Sequence, residues 1–249
     1  MNETVTPDAK RRGGRRERRD LRTRPDHAML PTLAGQLPLT EPMDQEQIER
    51  IDAASLDILE EVGVVFRDDI ALEDWRKAGA DVRGERVHLD RGLVKSLIKT
   101  IPSEITLHAR NPEKTVALGG RQSIFIPMTG APYLRDLEDV RRSPTLDDLA
   151  TFHKLAHMLP AMHSSAHHIV EPMDHPISHR HLRITHSSML YSDKTFMGMT
   201  TSGQNAEDVL DMCAILFGEE YLETHAVVTG NCNGNSPLVW DETMLSAMR

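Results

Sequence analysis

The strongest constraint on the fold is a unit repeated through the second half of the chain: a short apolar run, a polar tip, then a helix. The first copy is a strand at residues 123–127, the tip MTGAPYLRD (128–136), and a helix capped by Thr145 and running to about Met158. Asp147 and Asp148 sit where the positive end of that helix dipole favours carboxylates. The second is a strand within 162–170, the tip EPMD (171–174), and a helix from about Pro176 to Tyr191, with proline at a favoured first-turn position. The third is a strand at 195–200, the tip Thr201, Ser202 and Gly203, and a helix from Asn205 to Phe217 ending at Gly218. The fourth is a strand at 226–229 and a tip rich in amides and glycine: Asn231, Asn233, Gly234, Asn235 and Ser236. Residues 238–242, LVWDE, then read as a helix start.

Strands spaced by about 30–40 residues and alternating with helices predict a parallel sheet. No GxGxxG follows the first strand, which argues against a dinucleotide fold. Four such units make half of a (β/α)8 barrel, a fold that occupies about 250 residues when whole. The expected fold is therefore α/β: an incomplete TIM barrel of about four βα units in residues 119–249, preceded by a small α/β layer in 31–118. On this reading the 249 residues are a fragment, with two unpaired sheet edges and an exposed apolar lining.

Within the layer, residues 44–62 form a one-sided apolar helix that Gly63 closes, and 64–66 a strand. Asp68 to Ala78 reads as a helix ending at Gly79, and 87–89 as a strand. Asp90 caps a helix reaching Thr100, and 105–108 and 115–118 are strands. Residues 1–30 carry nine Lys or Arg and five Asp or Glu with almost nothing apolar, so a disordered basic arm is expected.

The net charge is −9, and without the arm the balance is 20 basic to 33 acidic residues. An acidic body with 4% aromatics does not suit nucleic acid. No apolar run approaches the roughly 20 residues that cross a bilayer, and the start lacks a signal-peptide core. Cys213 and Cys232 form neither a disulfide framework nor a CxxC pair; as free thiols they point to a reducing cytoplasm. Cys232 falls inside the fourth tip, where a spectator role is expected.

Nine of 13 histidines lie between His153 and His186. His153 and His157 share a helix face at HxxxH spacing and could hold zinc, although no glutamate completes HExxH. His167 and His168, on a strand, are expected to face opposite ways. Such clusters are more often core or solvated imidazoles, so no metal site is assigned. Met128, Met197 and Met199 read as core filler.

The order and spacing of several pieces resemble the trimethylamine methyltransferase family, which includes glycine betaine methyltransferases. These pieces are RRGGRRERR, LDILEEVGV, TGAPYLRD, IVEPMD with its following helix, KTFMGMT and NCNGNSPLVWD. The likeness covers nearly the whole chain and about the N-terminal half of the family's length. It implies a TIM-barrel enzyme that moves a methyl group from a methylamine or betaine to the cobalt of a separate corrinoid protein. Cobalamin would arrive with that partner, and this chain would bind no cofactor of its own. A full-length homo-oligomer is expected.

A quaternary ammonium needs aromatic faces or carboxylates, and a betaine carboxylate needs amides or cations. Tyr133 and Trp240 are therefore cage candidates; Asp136, Glu171 and Asp174 are candidate counter-charges; Asn231, Asn233, Asn235 and Ser236 are candidate donors. No residue is assigned a catalytic role. Alternatives are a metal-dependent TIM-barrel hydrolase and a non-catalytic half-barrel that binds small molecules.

Overall fold

The computed structural model describes residues 28–35 and 38–249, so the basic arm lies almost wholly outside the described residues. Strand β1 (Leu33–Ala34) precedes helix α1 (Gln45–Asp57), which Asp44 starts with a reciprocal capping box to Gln47. A π-helical turn (Ile58–Val62) extends α1 to Gly63, whose φ of 70° closes the run. Then come β2 (Val64–Phe66), α2 (Asp69–Lys77), β3 (Asp81–Arg83), β4 (Arg86–His88) and α3 (Arg91–Ile98). Asp68 and Asp90 cap α2 and α3 through their carboxylates, the expected role for Asp90. Strands β5 (Glu104–Leu107) and β6 (Val116–Gly119) pair antiparallel.

The second half holds β7 (Gln122–Ser123), β8 (Leu134–Arg135), β9 (Arg141–Arg142), α4 (Leu146–Met158) and α5 (Ile177–Tyr191). It continues with β10 (Phe196–Met197), α6 (Gly203–Phe217), α7 (Glu219–Leu222), β11 (Val228–Thr229), β12 (Val239–Trp240) and α8 (Glu242–Ala247). The long helices match expectation within a residue or two, and Thr145 and Asp148 complete a capping box on α4.

The strands differ more. Among the described residues there are several small sheets and no closed barrel. Of the run 123–127 only Ser123 is strand: it ends β7, which pairs antiparallel with β1. The run 162–170 makes only single parallel bridges, Ser164 to Thr195 and Ala131 to Val170. Between them Ala166 takes φ 57°, which breaks the extended backbone. β10 and β11 pair parallel, Phe196 with Val228 and Met197 with Thr229. The four segments nevertheless lie side by side in chain order. His163 N donates to Phe125 O (2.8 Å), Ser165 N to Thr195 O (2.9 Å) and Gly198 N to Thr229 O (2.8 Å).

Residues 238–240 were expected to open a helix and are instead strand. β12 joins the first-half sheet in the order β12-β2-β4-β3, parallel to β2, with Trp240 opposite Phe66. Helix α8 starts only after Asp241, whose carboxylate accepts from Met244 N. Apolar burial explains the capture: Leu245 enters the core of Val64, Phe66, Leu72, Val87 and Leu89, with Trp240 packed against it. The end of the second half thus completes the hydrophobic core of the first.

Two further cores hold the helices onto the parallel segments. One joins Leu149 of α4, Ile184 of α5 and Val170; the other joins Met189, Phe196, Val209, Cys213 and Val227. Cys213 is fully buried, which pushes its thiol up to about 12 and makes it inert.

Candidate functional site

The polar tips follow from the βα repeat: each segment ends and the chain turns; Thr145, Ser202 and Asp241 cap α4, α6 and α8, and α5 starts at Pro176 without a side-chain cap. The first tip bonds to the second through Gly130 N to His168 O (2.7 Å) and Glu171 N to Ala131 O (2.9 Å). Beyond Ala131 the chain rises into the hairpin β8–β9, which was not foreseen. Tyr133, half exposed, stands at its base, and the Arg141 guanidinium lies 4.0 Å from the ring centroid. One face of this cage candidate is therefore already covered by a cation. Asp136 closes the hairpin turn, its Oδ1 accepting from Glu138 N (3.1 Å) and Val140 N (2.9 Å).

Glu171 is largely enclosed, with 21% of its side chain exposed. Arg180 Nη1 donates to its Oε1 at 2.7 Å, and His168 Nε2 lies 3.7 Å from its Oε2. The remaining Arg180 donors hold His175 O, so the guanidinium is fixed from two sides. Asp174 accepts from Leu146 N at 3.0 Å and so ties the second tip to α4. Thr200, at the third tip, accepts from Asn231 N and donates to Asn231 O, both at 3.2 Å. Asn235 donates through Nδ2 to Asp241 Oδ2 (2.7 Å) and exchanges backbone bonds with Val239. The side chains of Asn231, Asn233 and Ser236 are exposed and make no hydrogen bond among the described residues. Cys232 lies beside them, its Sγ 3.9 Å from Thr200 Oγ1.

The nine candidates therefore divide. Tyr133, Glu171, Asn231, Asn233 and Ser236 stand at or beside the tips with surface available. Asp136, Asp174 and Asn235 spend their polar atoms on turns and caps. Trp240 sits in β12 on the first-half core, with Gly234 packed against its indole.

His168 was missed. The period-2 rule put it opposite His167, but the break at Ala166 brings the two rings to 4.4 Å, edge to face. Its ring then packs on Gly130, where a Cβ would come within 3.4 Å of Nε2. Its spacing three residues before a strand-tip glutamate was the available signal. Burial lowers the pKa of His168, partly offset by Glu171. His167 is pushed down to about 3 by burial, with His168 and His153 adding to it.

The HxxxH pair does not chelate. His153 Nε2 donates to His167 O (2.8 Å), so its Nδ1 accepts from Ser187 Oγ (2.9 Å), and neither nitrogen is left for a metal. His157 instead faces Asp193, 3.2 Å away. Among the described residues no group of three or more His, Cys, Asp or Glu could hold a metal ion. None of the described helices is long and apolar enough to cross a membrane.

Parallel segments in chain order, each feeding polar groups to one set of tips, define an α/β protein of the kind that holds small ligands at strand ends. Comparison with known proteins makes this specific: the chain belongs to the trimethylamine methyltransferase (MTTB) family, whose model matches residues 11–249. It is 41% identical over 213 residues to the glycine betaine methyltransferase of Desulfitobacterium hafniense (strain Y51), covering 85% of this chain and 44% of that protein. It is 26% identical over 201 residues to the trimethylamine methyltransferase MttB of Desulfitobacterium hafniense (strain DSM 10664 / DCB-2), covering 78% of this chain and 40% of that one. A proline betaine:corrinoid methyltransferase of Eubacterium limosum is 33% identical over 112 residues, 43% of this chain and 22% of that protein. The chain thus spans less than half the length of the curated relatives it matches.

Proposed function

We propose that this protein takes a methyl group from a quaternary ammonium of the betaine type and passes it to the cobalt of a corrinoid carried by a separate protein. The observation that carries the reading is the 41% identity, over 85% of the chain, to a glycine betaine methyltransferase. Residues 119–249 would then be the first four βα units of a TIM barrel, with their tips forming one wall of its mouth. The chain-order parallel contacts of the four segments support that geometry.

The chemistry suits such a mouth. The C–N bond breaks with its electron pair on nitrogen, so a neutral tertiary amine leaves and Co(I) of the partner's corrinoid receives the methyl. The protein must hold the cation, aim one methyl and exclude water. Tyr133 offers a π-face, and Asn231, Asn233 and Ser236 offer hydrogen bonds. Glu171, fixed by Arg180, contributes an oriented dipole more than a free negative charge.

The full-length protein, mixed with a Co(I) corrinoid carrier and glycine betaine, should form methyl-cobalamin and dimethylglycine in equal amounts. No methyl-cobalamin with any betaine or methylamine would refute the proposal. The zinc-hydrolase alternative lacks its key pair, because both His153 nitrogens are already bonded within the protein.

A further inference from the structure

The hairpin β8–β9 carries three arginines, and two are neutralised within it or at its base. Arg135 donates to Asp139 at 2.6 Å, and Arg142 makes a bidentate pair with Asp148 at 2.6 and 2.7 Å. Arg141 differs. Among the described residues its guanidinium makes no ion pair and no hydrogen bond, although Asp136, Glu138 and Asp139 stand on the same hairpin. Its guanidinium is instead seated 4.0 Å from the centroid of the Tyr133 ring. A guanidinium in contact with a ring keeps the N–H donors along its edge available, and that fork matches a carboxylate.

The hairpin is fixed at the candidate mouth. At its start, Ala131 bridges Val170 and accepts from Glu171 N; at its end, Pro144 O accepts from Met173 N at 2.9 Å. The carboxylates of the second tip are already engaged, Glu171 by Arg180 and Asp174 by Leu146 N. Arg141 is therefore a pre-positioned cation beside the strand tips, with no anion of its own among the described residues.

On the methyltransferase reading above, we propose that Arg141, held on Tyr133, is a specificity-determining residue that binds the carboxylate of the methylated amine. The substrate is then an amino-acid betaine, and amines without a carboxylate are selected against. Tyr133 acts here as the platform for Arg141, holding its guanidinium in place.

The test uses the full-length protein and two ligands, glycine betaine and tetramethylammonium, which has the cation without the carboxylate. Arg141→Gln should weaken glycine betaine binding in calorimetry by about 10- to 100-fold, the range of a charge-assisted hydrogen bond. Tetramethylammonium affinity and the unfolding midpoint should stay as in the wild type. Arg141→Lys keeps the charge without the planar fork and should recover part of the loss; Tyr133→Ala, which removes the platform, should lose part of the affinity. Unchanged betaine binding in Arg141→Gln, or equal loss of both ligands, overturns the proposal. If the wild type demethylates trimethylamine or tetramethylammonium but no betaine, the Arg141 inference falls and the methyltransferase reading stands. If it binds glycine betaine through Arg141 but transfers no methyl, the carboxylate anchor stands and the methyltransferase reading falls.

Discussion

Arg180 Nη1 donates to Glu171 Oε1 across 2.7 Å, joining the second helix of the repeat to the tip of its own strand segment. Both side chains are mostly enclosed, with 12% and 21% of their surface exposed. Arg180→Met should leave the Glu171 carboxylate with only His168 nearby and cost about 3 kcal/mol of stability. The lone carboxylate should also raise the His168 pKa, which an NMR titration would detect. Glu171→Gln keeps an acceptor for Arg180 and should cost less, about 1 kcal/mol. Equal losses in the two variants would show that the ion pair is not what holds this tip.

Lys194 is 2% exposed, and its ammonium donates to Ala156 O, Leu159 O and Met162 O at 2.7–2.8 Å. It ends α4 by satisfying carbonyls that helix geometry leaves open. Lys194→Met preserves most of the volume and removes all three donors. Urea unfolding should show a loss of about 2–5 kcal/mol; a loss below 1 kcal/mol would mean that water replaces the ammonium.

His167 should make the protein acid-labile. Burial holds its folded pKa near 3, below the unfolded value of about 6.5. The unfolded chain therefore takes up a proton as pH falls below 6.5 while the folded chain does not. Stability from this group is present above pH 6.5 and is lost toward pH 3, at up to about 1.4 kcal/mol per pH unit. His153, lowered by burial, adds in the same direction. Denaturant midpoints at pH 7.5 and 5 should differ in the wild type and differ less in His167→Asn.

Gly230 leads into the fourth tip. A Cβ there would lie 2.6 Å from Thr200 Cγ2 and 3.0 Å from Thr200 Oγ1, the atom that bonds Asn231. Gly230→Ala should cost about 1–3 kcal/mol as an overpacked site. It should also weaken glycine betaine binding if the Asn231 loop contacts substrate. Wild-type affinity in a folded Gly230→Ala variant would remove that loop from the site.

Trp240 packs on the first-half core from a strand that the second half supplies. Trp240→Ala should destabilise the protein by about 2–4 kcal/mol, as a truncated core aromatic does. Trp240→Phe should retain most of that stability. Loss of ligand binding without loss of stability in either variant would assign the indole to the cage instead.

What the sequence determined on its own was everything governed by local rules. Asp90 and Thr145 cap their helices as read from the sequence, and the helices begin near Asp44 and Asp68 as expected, because a capping side chain acts within three residues. The family was also legible, since ordered motifs such as TGAPYLRD and IVEPMD span the chain. Tertiary structure decided the rest. Val239 and Trp240 carry strand-forming side chains next to helix-start signals, and only the unfilled edge of β2 and the apolar cluster behind it made them strand. His167 and His168 were placed by the φ of Ala166, which a residue-type pattern does not encode. Arg141 was one arginine among many until the hairpin set it on Tyr133 and bonded its neighbours elsewhere. Local signals fix an element's beginning and end, whereas a side chain's partners depend on contacts distant in sequence, which the chain specifies only as a whole.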